Sequence, residues 1–155
     1  MKVHTYERMF LAVGALLLVA CLGALLYAST SHNMHLPGHV GAIDPARVRE
    51  TAPFDQPGVQ QTGPDAYTVV VIGSAWSFTP DEIRVPAGAA VTFVATSTDI
   101  IHGFYVAKTR VNVMLIPGQI SRVTHTFDTP GEYLLLCHEY CGLGHHLMSG
   151  RVIVE

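Results

Sequence analysis

Twelve residues carry the densest chemistry of the 155-residue chain: Cys137-His138-Glu139-Tyr140-Cys141-Gly142-Leu143-Gly144-His145-His146-Leu147-Met148, a Cys-x3-Cys-x3-His-x2-Met spacing. Thiolate, imidazole and thioether form a soft donor set that selects copper, with zinc and iron–sulfur clusters as competitors. A single blue copper needs only one Cys, His ligands and a weak axial Met. The second Cys, on the same tight loop, lets two thiolates bridge two metal ions. Two plainer readings stand beside this one. Cys137 and Cys141 can form a disulfide in an oxidising compartment, which leaves His145 and Met148 at ligand spacing for no reason. Cys, Cys and His can also hold zinc, which has no use for the thioether.

Rigid elements must present such a loop, and the flanking sequence supplies them. From Asp65 the chain reads as short β-branched and apolar runs between turn residues. Strands are predicted over residues 67–73, 82–86, 89–96, 103–107, 111–116, 121–127, 131–137 and 151–155. Turn signals at Pro86-Ala87-Gly88, Pro117-Gly118 and Thr129-Pro130-Gly131 give the even spacing of a β-sandwich or barrel. The twelve-residue loop then joins the last two strands, where geometry is held with little motion. A histidine from elsewhere would complete the donor set, and His102, at the start of a strand after the polar stretch 96–99, is the candidate. Asp99, three residues earlier, either orients that ring by a hydrogen bond or forms a turn.

The first part of the chain is of another kind. Residues 9–28 are twenty residues without a charge, enough to cross the hydrocarbon core as a helix. Lys2 and Arg8 precede it and no Lys or Arg follows until Arg47, so the positive-inside bias puts the N-terminus in the cytoplasm and the remainder outside. Leu18-Val19-Ala20-Cys21 also fits a lipoprotein cleavage box, although seven apolar residues continue past Cys21. Both readings tether the chain to the outer face of a membrane. The expected organisation is an anchor over 1–30, a linker rich in Pro, Gly, His and Gln over 31–64 with a short helical turn at 45–50, and a metal-binding domain over 65–155. Beyond residue 30, eleven acidic residues (all but Glu7) face seven basic ones (all but Lys2 and Arg8), a net charge of −4 that gives no support to nucleic-acid binding.

Several residues invite over-reading. His32, Met34, His35 and His39 form a soft cluster without a Cys or a rigid frame, and are read as solvated linker. His125, His138 and His146 are read as non-ligands, and Cys21 as inert in its helix.

With Asp99-Ile100-Ile101-His102-Gly103-Phe104, Leu115-Ile116-Pro117-Gly118, Pro130-Gly131-Glu132-Tyr133 and the twelve-residue loop, the chain resembles subunit II of the haem–copper cytochrome c oxidases. The likeness is strongest to the short, single-helix version of the ba3 type, and covers the helix and 65–155. It implies a mainly β protein in which a single transmembrane helix precedes a cupredoxin, a Greek-key β-barrel holding the dinuclear CuA copper centre. By position, Cys137 and Cys141 bridge two coppers, His102 and His145 each cap one, and Met148 and the main-chain carbonyl of Glu139 are weak ligands. Trp76, the only tryptophan, stands where the family presents an aromatic that receives electrons; a core indole is the alternative. Glu139 departs from the ba3 pattern, which tends to an amide there; it reads either as a carboxylate that helps bind magnesium against subunit I, as the resemblance to the larger A-type relatives implies, or as a loop carboxylate with only its carbonyl in use.

The resemblance also implies partners and place. Electrons come from a cytochrome c on the outer face of a prokaryotic plasma membrane and pass to haem in oxidase subunit I, where oxygen is reduced. The full copper ligand set separates this sequence from quinol-oxidising relatives, which lack it. Three rival functions remain distinct: a membrane-anchored copper chaperone or donor cupredoxin, the copper domain of a nitrous oxide reductase (whose large propeller this chain has no room for), and a zinc-stabilised module.

Overall fold

The computed structural model of the chain describes residues 3–31 and 40–155. They fall into two units, residues 3–31 and residues 40–155. The first is one helix, α1, Val3–Ser31. Its stretch His4–Ser31 is long and apolar enough to cross a membrane, and none of it is buried against protein. The helix runs through Cys21, which is exposed. The His32, Met34, His35 and His39 cluster lies outside the described residues.

The second unit is a sandwich of two five-stranded sheets built from β1 Gly58–Gly63, β2 Ala66–Ser74, β3 Ser77–Thr79, β4 Glu82–Val85, β5 Ala90–Ser97, β6 His102–Val106, β7 Asn112–Leu115, β8 Ser121–Thr126, β9 Gly131–Leu136 and β10 Ser149–Val154. One sheet has the order β1-β2-β5-β8 with β3 also on β2; the other has the order β4-β10-β9-β6-β7. The β2–β5 and β4–β10 pairs are parallel, so the chain crosses between sheets instead of meandering. Ser121 Oγ donates to the Met114 carbonyl at 2.6 Å and stitches β8 to β7 between the sheets.

Each predicted strand is present, with ends displaced by at most two residues. The β-branched and aromatic residues that made them legible also build the core. Val69 and Val71 of β2 face inward with Phe78, Val91, Phe93, Phe104, Phe127 and Leu135. Phe104 meets Phe78 edge-on at 5.6 Å, and Phe93 at 5.5 Å in a tilted contact, geometries that aromatic quadrupoles favour.

The stretch expected to be linker behaves differently. Val70 and Ile72 face the opposite side of β2 and are equally buried, because Ile43, Val48 and Phe54 cover them together with Val94. A strand buried on both faces reads as a continuous apolar run, which is why residues 67–73 do not alternate. The covering segment is pinned at Ile43, whose N–H donates to Gly118 O at 3.1 Å. A 3-10 helix, Pro45–Glu50, then follows, capped by Asp44 accepting from the Ala46 N–H at 3.0 Å. β1, also within the expected linker, pairs antiparallel with β2. Packing on this outer face thus starts well ahead of Asp65.

Two outcomes are expected. Phe54→Ala, which empties a fully buried ring site, should cost about 3–5 kcal/mol. A urea titration should show the loss, while donor geometry in the other half of the sandwich stays intact. His125 lies 4.7 Å from Phe127 in an edge-on contact. Burial, together with the nearby Arg110, lowers its pKa against the opposing pull of Asp128. A histidine kept neutral by folding contributes stability above its unfolded pKa, and that stability is lost as pH falls through the lowered folded value. Acidification from about pH 7 towards 5 should therefore destabilise the native chain more than His125→Gln; equal losses would contradict this.

Candidate metal centre

Two connections meet at one end of the sandwich. The antiparallel β9–β10 pair closes at Leu136 opposite Ser149. One step further, the Cys137 N–H donates to Met148 O at 3.2 Å, so the loop begins and ends on a fixed base. Within it, His145 N–H reaches Gly142 O at 3.1 Å and Leu147 N–H reaches Gly144 O at 2.9 Å, forming the short 3-10 turn His145–Leu147. β6 pairs with β9 at Tyr105 opposite Leu136, bringing His102 alongside. Gly103 makes that approach possible, since a Cβ there would stand 2.7 Å from the His138 backbone nitrogen.

Cys137, Cys141 and Met148 are buried and belong to the main core. The two cysteines are free thiols with sulfurs 3.7 Å apart, too far for a disulfide. His102 is fully buried, and a ring nitrogen of it lies with both sulfurs in a cluster whose donor atoms are all within 4.8 Å of one another. Cys141 Sγ is also 3.5 Å from His145 Nδ1 and 3.8 Å from Met148 Sδ, and Cys137 Sγ is 3.2 Å from the main-chain carbonyl of Glu139. All six residues singled out in the sequence are therefore brought together, although the Glu139 side chain itself is exposed. Among the described residues, His125, His138 and His146 join no donor cluster.

The electrostatics suit a soft metal. Asp99 Oδ1 lies 2.8 Å from His102 Nε2. Burial alone would raise the Asp99 pKa, but hydrogen bonds from His102, the Ile100 N–H and the Ala75 N–H hold it below the ordinary carboxylate value. An ionised carboxylate only accepts, so Nε2 carries the proton and the Nδ1 lone pair is free. Nδ1 is the one buried side-chain polar atom without a partner among the described residues. A buried imidazole nitrogen without a partner, on a ring that clusters with two thiols, fits the donor set of a copper centre. Burial pushes the Cys141 thiol up to about 11, helped by its neighbour Cys137; a nearby cation would reverse that preference.

Trp76 belongs to this end of the molecule, not to the core. It is 43% exposed, its Nε1–H donates to Cys141 O at 2.9 Å, and its ring lies over Gly144, where a Cβ would come within 2.3 Å of it. The spacing of Trp76 from the loop concealed this contact; the two glycines of the loop were its only trace in the sequence. Around the site Ile100, Ile101, Tyr140, Leu143 and Leu147 are exposed.

Comparison with known proteins agrees with this geometry. Residues 72–155 match the family described as Cytochrome C oxidase subunit II, periplasmic domain. Cytochrome c oxidase subunit 2 of Thermus thermophilus is 40% identical over 154 residues, covering 97% of this chain and 92% of that protein. A chain of a heme-copper terminal oxidase dimer solved by cryo-electron microscopy superposes with a TM-score of 0.78 at 32% identity, covering 97% of this chain and 99% of that one. The periplasmic domain of subunit II of cytochrome oxidase from Bradyrhizobium japonicum shares the fold, with a TM-score of 0.53 at 21% identity over 57% of this chain and 83% of that one. The chain belongs to the cytochrome c oxidase subunit II family, with a cupredoxin-like, copper-binding β domain.

Proposed function

We propose that this chain receives electrons for a cytochrome c oxidase through a dinuclear CuA copper centre held by His102, Cys137, Glu139, Cys141, His145 and Met148. The observation that carries the reading is the pair of free buried thiols, 3.7 Å apart, each with further donors at hand. In this reading the thiolates of Cys137 and Cys141 would hold both metals. His102, through its unpartnered Nδ1, and His145 each serve one metal. The Met148 thioether and the Glu139 carbonyl are the weak donors, supported by their closeness to one sulfur or the other. When bound, such a centre accepts and releases single electrons with the charge shared over both metals.

The protein's part is to hold that donor set still. Asp99 fixes the His102 ring, the β9–β10 base fixes both ends of the loop, and core packing keeps water from the sulfurs. A frame that moves little on electron uptake keeps the reorganisation cost low. Cytochrome c is the proposed donor, haem in oxidase subunit I the proposed acceptor, and Trp76 the proposed point of electron arrival. The exposed apolar side chains around the site suit protein partners. The Glu139 carboxylate is the proposed contact for magnesium at the subunit I boundary, the remaining ligands coming from that subunit. Helix α1 is proposed to cross a prokaryotic plasma membrane with its N-terminus cytoplasmic and the β domain outside.

Copper loading of the full chain in detergent tests the centre. Two coppers per chain with a delocalised seven-line EPR signal are expected, and Cys141→Ser should abolish that signal. One copper with a four-line blue signal would favour a copper chaperone or donor, and a colourless protein unfolded by a chelator would indicate zinc.

A further inference from the structure

The turn between β2 and β3 touches both halves of the metal centre. It consists of Ala75 and Trp76. On one side the Ala75 N–H donates to Asp99 Oδ2 at 2.6 Å, and the other oxygen of that carboxylate holds His102 Nε2 at 2.8 Å. On the other side the Trp76 Nε1–H donates to Cys141 O at 2.9 Å, with the indole laid over Gly142 and Gly144. A hydrogen-bonded path therefore runs from His102 through Asp99, Ala75 and Trp76 to the main chain of Cys141. Thr98 N–H, donating to Gly73 O at 3.2 Å, fastens the same two segments just behind it. Among the described residues no hydrogen bond joins 98–103 directly to 138–147.

We propose that the Ala75–Trp76 turn is a strap that sets the spacing between His102 and Cys141, with Trp76 and Asp99 as positioning residues acting as one unit. This goes beyond any part Trp76 has in receiving electrons, and it rests on the metal-centre reading above. The placement of the indole argues for it. Trp76 is too exposed to be a core anchor, so its large flat face is spent on the ligand loop. Its N–H fixes the peptide that follows Cys141, and with it the direction of the Cys141 side chain. Gly144 has no side chain where the ring rests, so the loop accepts the ring at van der Waals distance. Asp99 does the matching task for His102, and the Ala75 N–H makes the two depend on each other.

The test uses the full chain in detergent, with Trp76→Phe, Asp99→Asn and the double variant. Phenylalanine keeps an aromatic cover over the glycines and removes only the N–H. In the metal-free chain, amide hydrogen exchange at His145, Leu147 and Met148 should accelerate about tenfold in Trp76→Phe, the worth of one hydrogen bond. In the copper-loaded chain the sulfur-to-copper absorption should shift, and copper release to a strong chelator should accelerate by a similar factor. The double variant should release copper no faster than the worse single variant, because either change already cuts the strap. Effects that multiply, or unchanged exchange and absorption in Trp76→Phe, would overturn the proposal. Trp76→Phe alone decides the matter if Asp99→Asn does not fold. A chain that takes up no copper would defeat the metal-centre reading, whereas the exchange measurement judges the strap on the metal-free protein.

Discussion

Everything at the functional end depends on two thiols buried side by side and left unjoined. Cys137 and Cys141 sit in the same apolar cluster as Phe78, Phe104 and Leu135, so the sandwich core ends in sulfur. Such a core cannot relax around the donor set as a surface loop could. Burial favours the neutral Cys141 thiol, and the His102 Nδ1 has no hydrogen-bond partner. A bound cation would offset the first and satisfy the second, because a metal takes up the thiolate charge and the lone pair together.

Asp99 shows how the donor set is steered. Its carboxylate takes hydrogen bonds from Ser97 Oγ, the Ile100 N–H, the Ala75 N–H and His102. Four partners around one acid fix both its charge and its orientation, and through it the tautomer of the imidazole. That carboxylate thereby decides which ring nitrogen is left free to act as a donor.

Sequence and structure part company where contacts are long-range. The soft-donor loop was legible because its residues are neighbours in the chain, and His102 because a polar stretch precedes a strand. The β-strands were legible because Val, Ile, Thr and Phe recur between Gly and Pro. β1 and β3 were not, since GVQQTG and SFT lack a sustained pattern and owe their state to pairing with β2. The helical turn at 45–50 could be seen, but not that Ile43, Val48 and Phe54 plug a second face, since three scattered apolar residues announce no partner. Trp76 stayed ambiguous for the same reason: nothing near position 76 tells of a carbonyl at position 141.

The parallel pairing of β4 with β10 bears on when the site can exist. Residues 82–85 must wait for 151–154 before their edge of the sheet is filled, and Arg151 then closes on Glu82 with a 2.8 Å contact. The ligand loop lies between β9 and β10, so its base forms only when that last strand docks. Contacts of such sequence separation are late and slow in folding, because loop-closure entropy is spent before they reward it. Until then its two thiols are exposed and unguarded; they become a buried pair only when the final strand slots between β4 and β9.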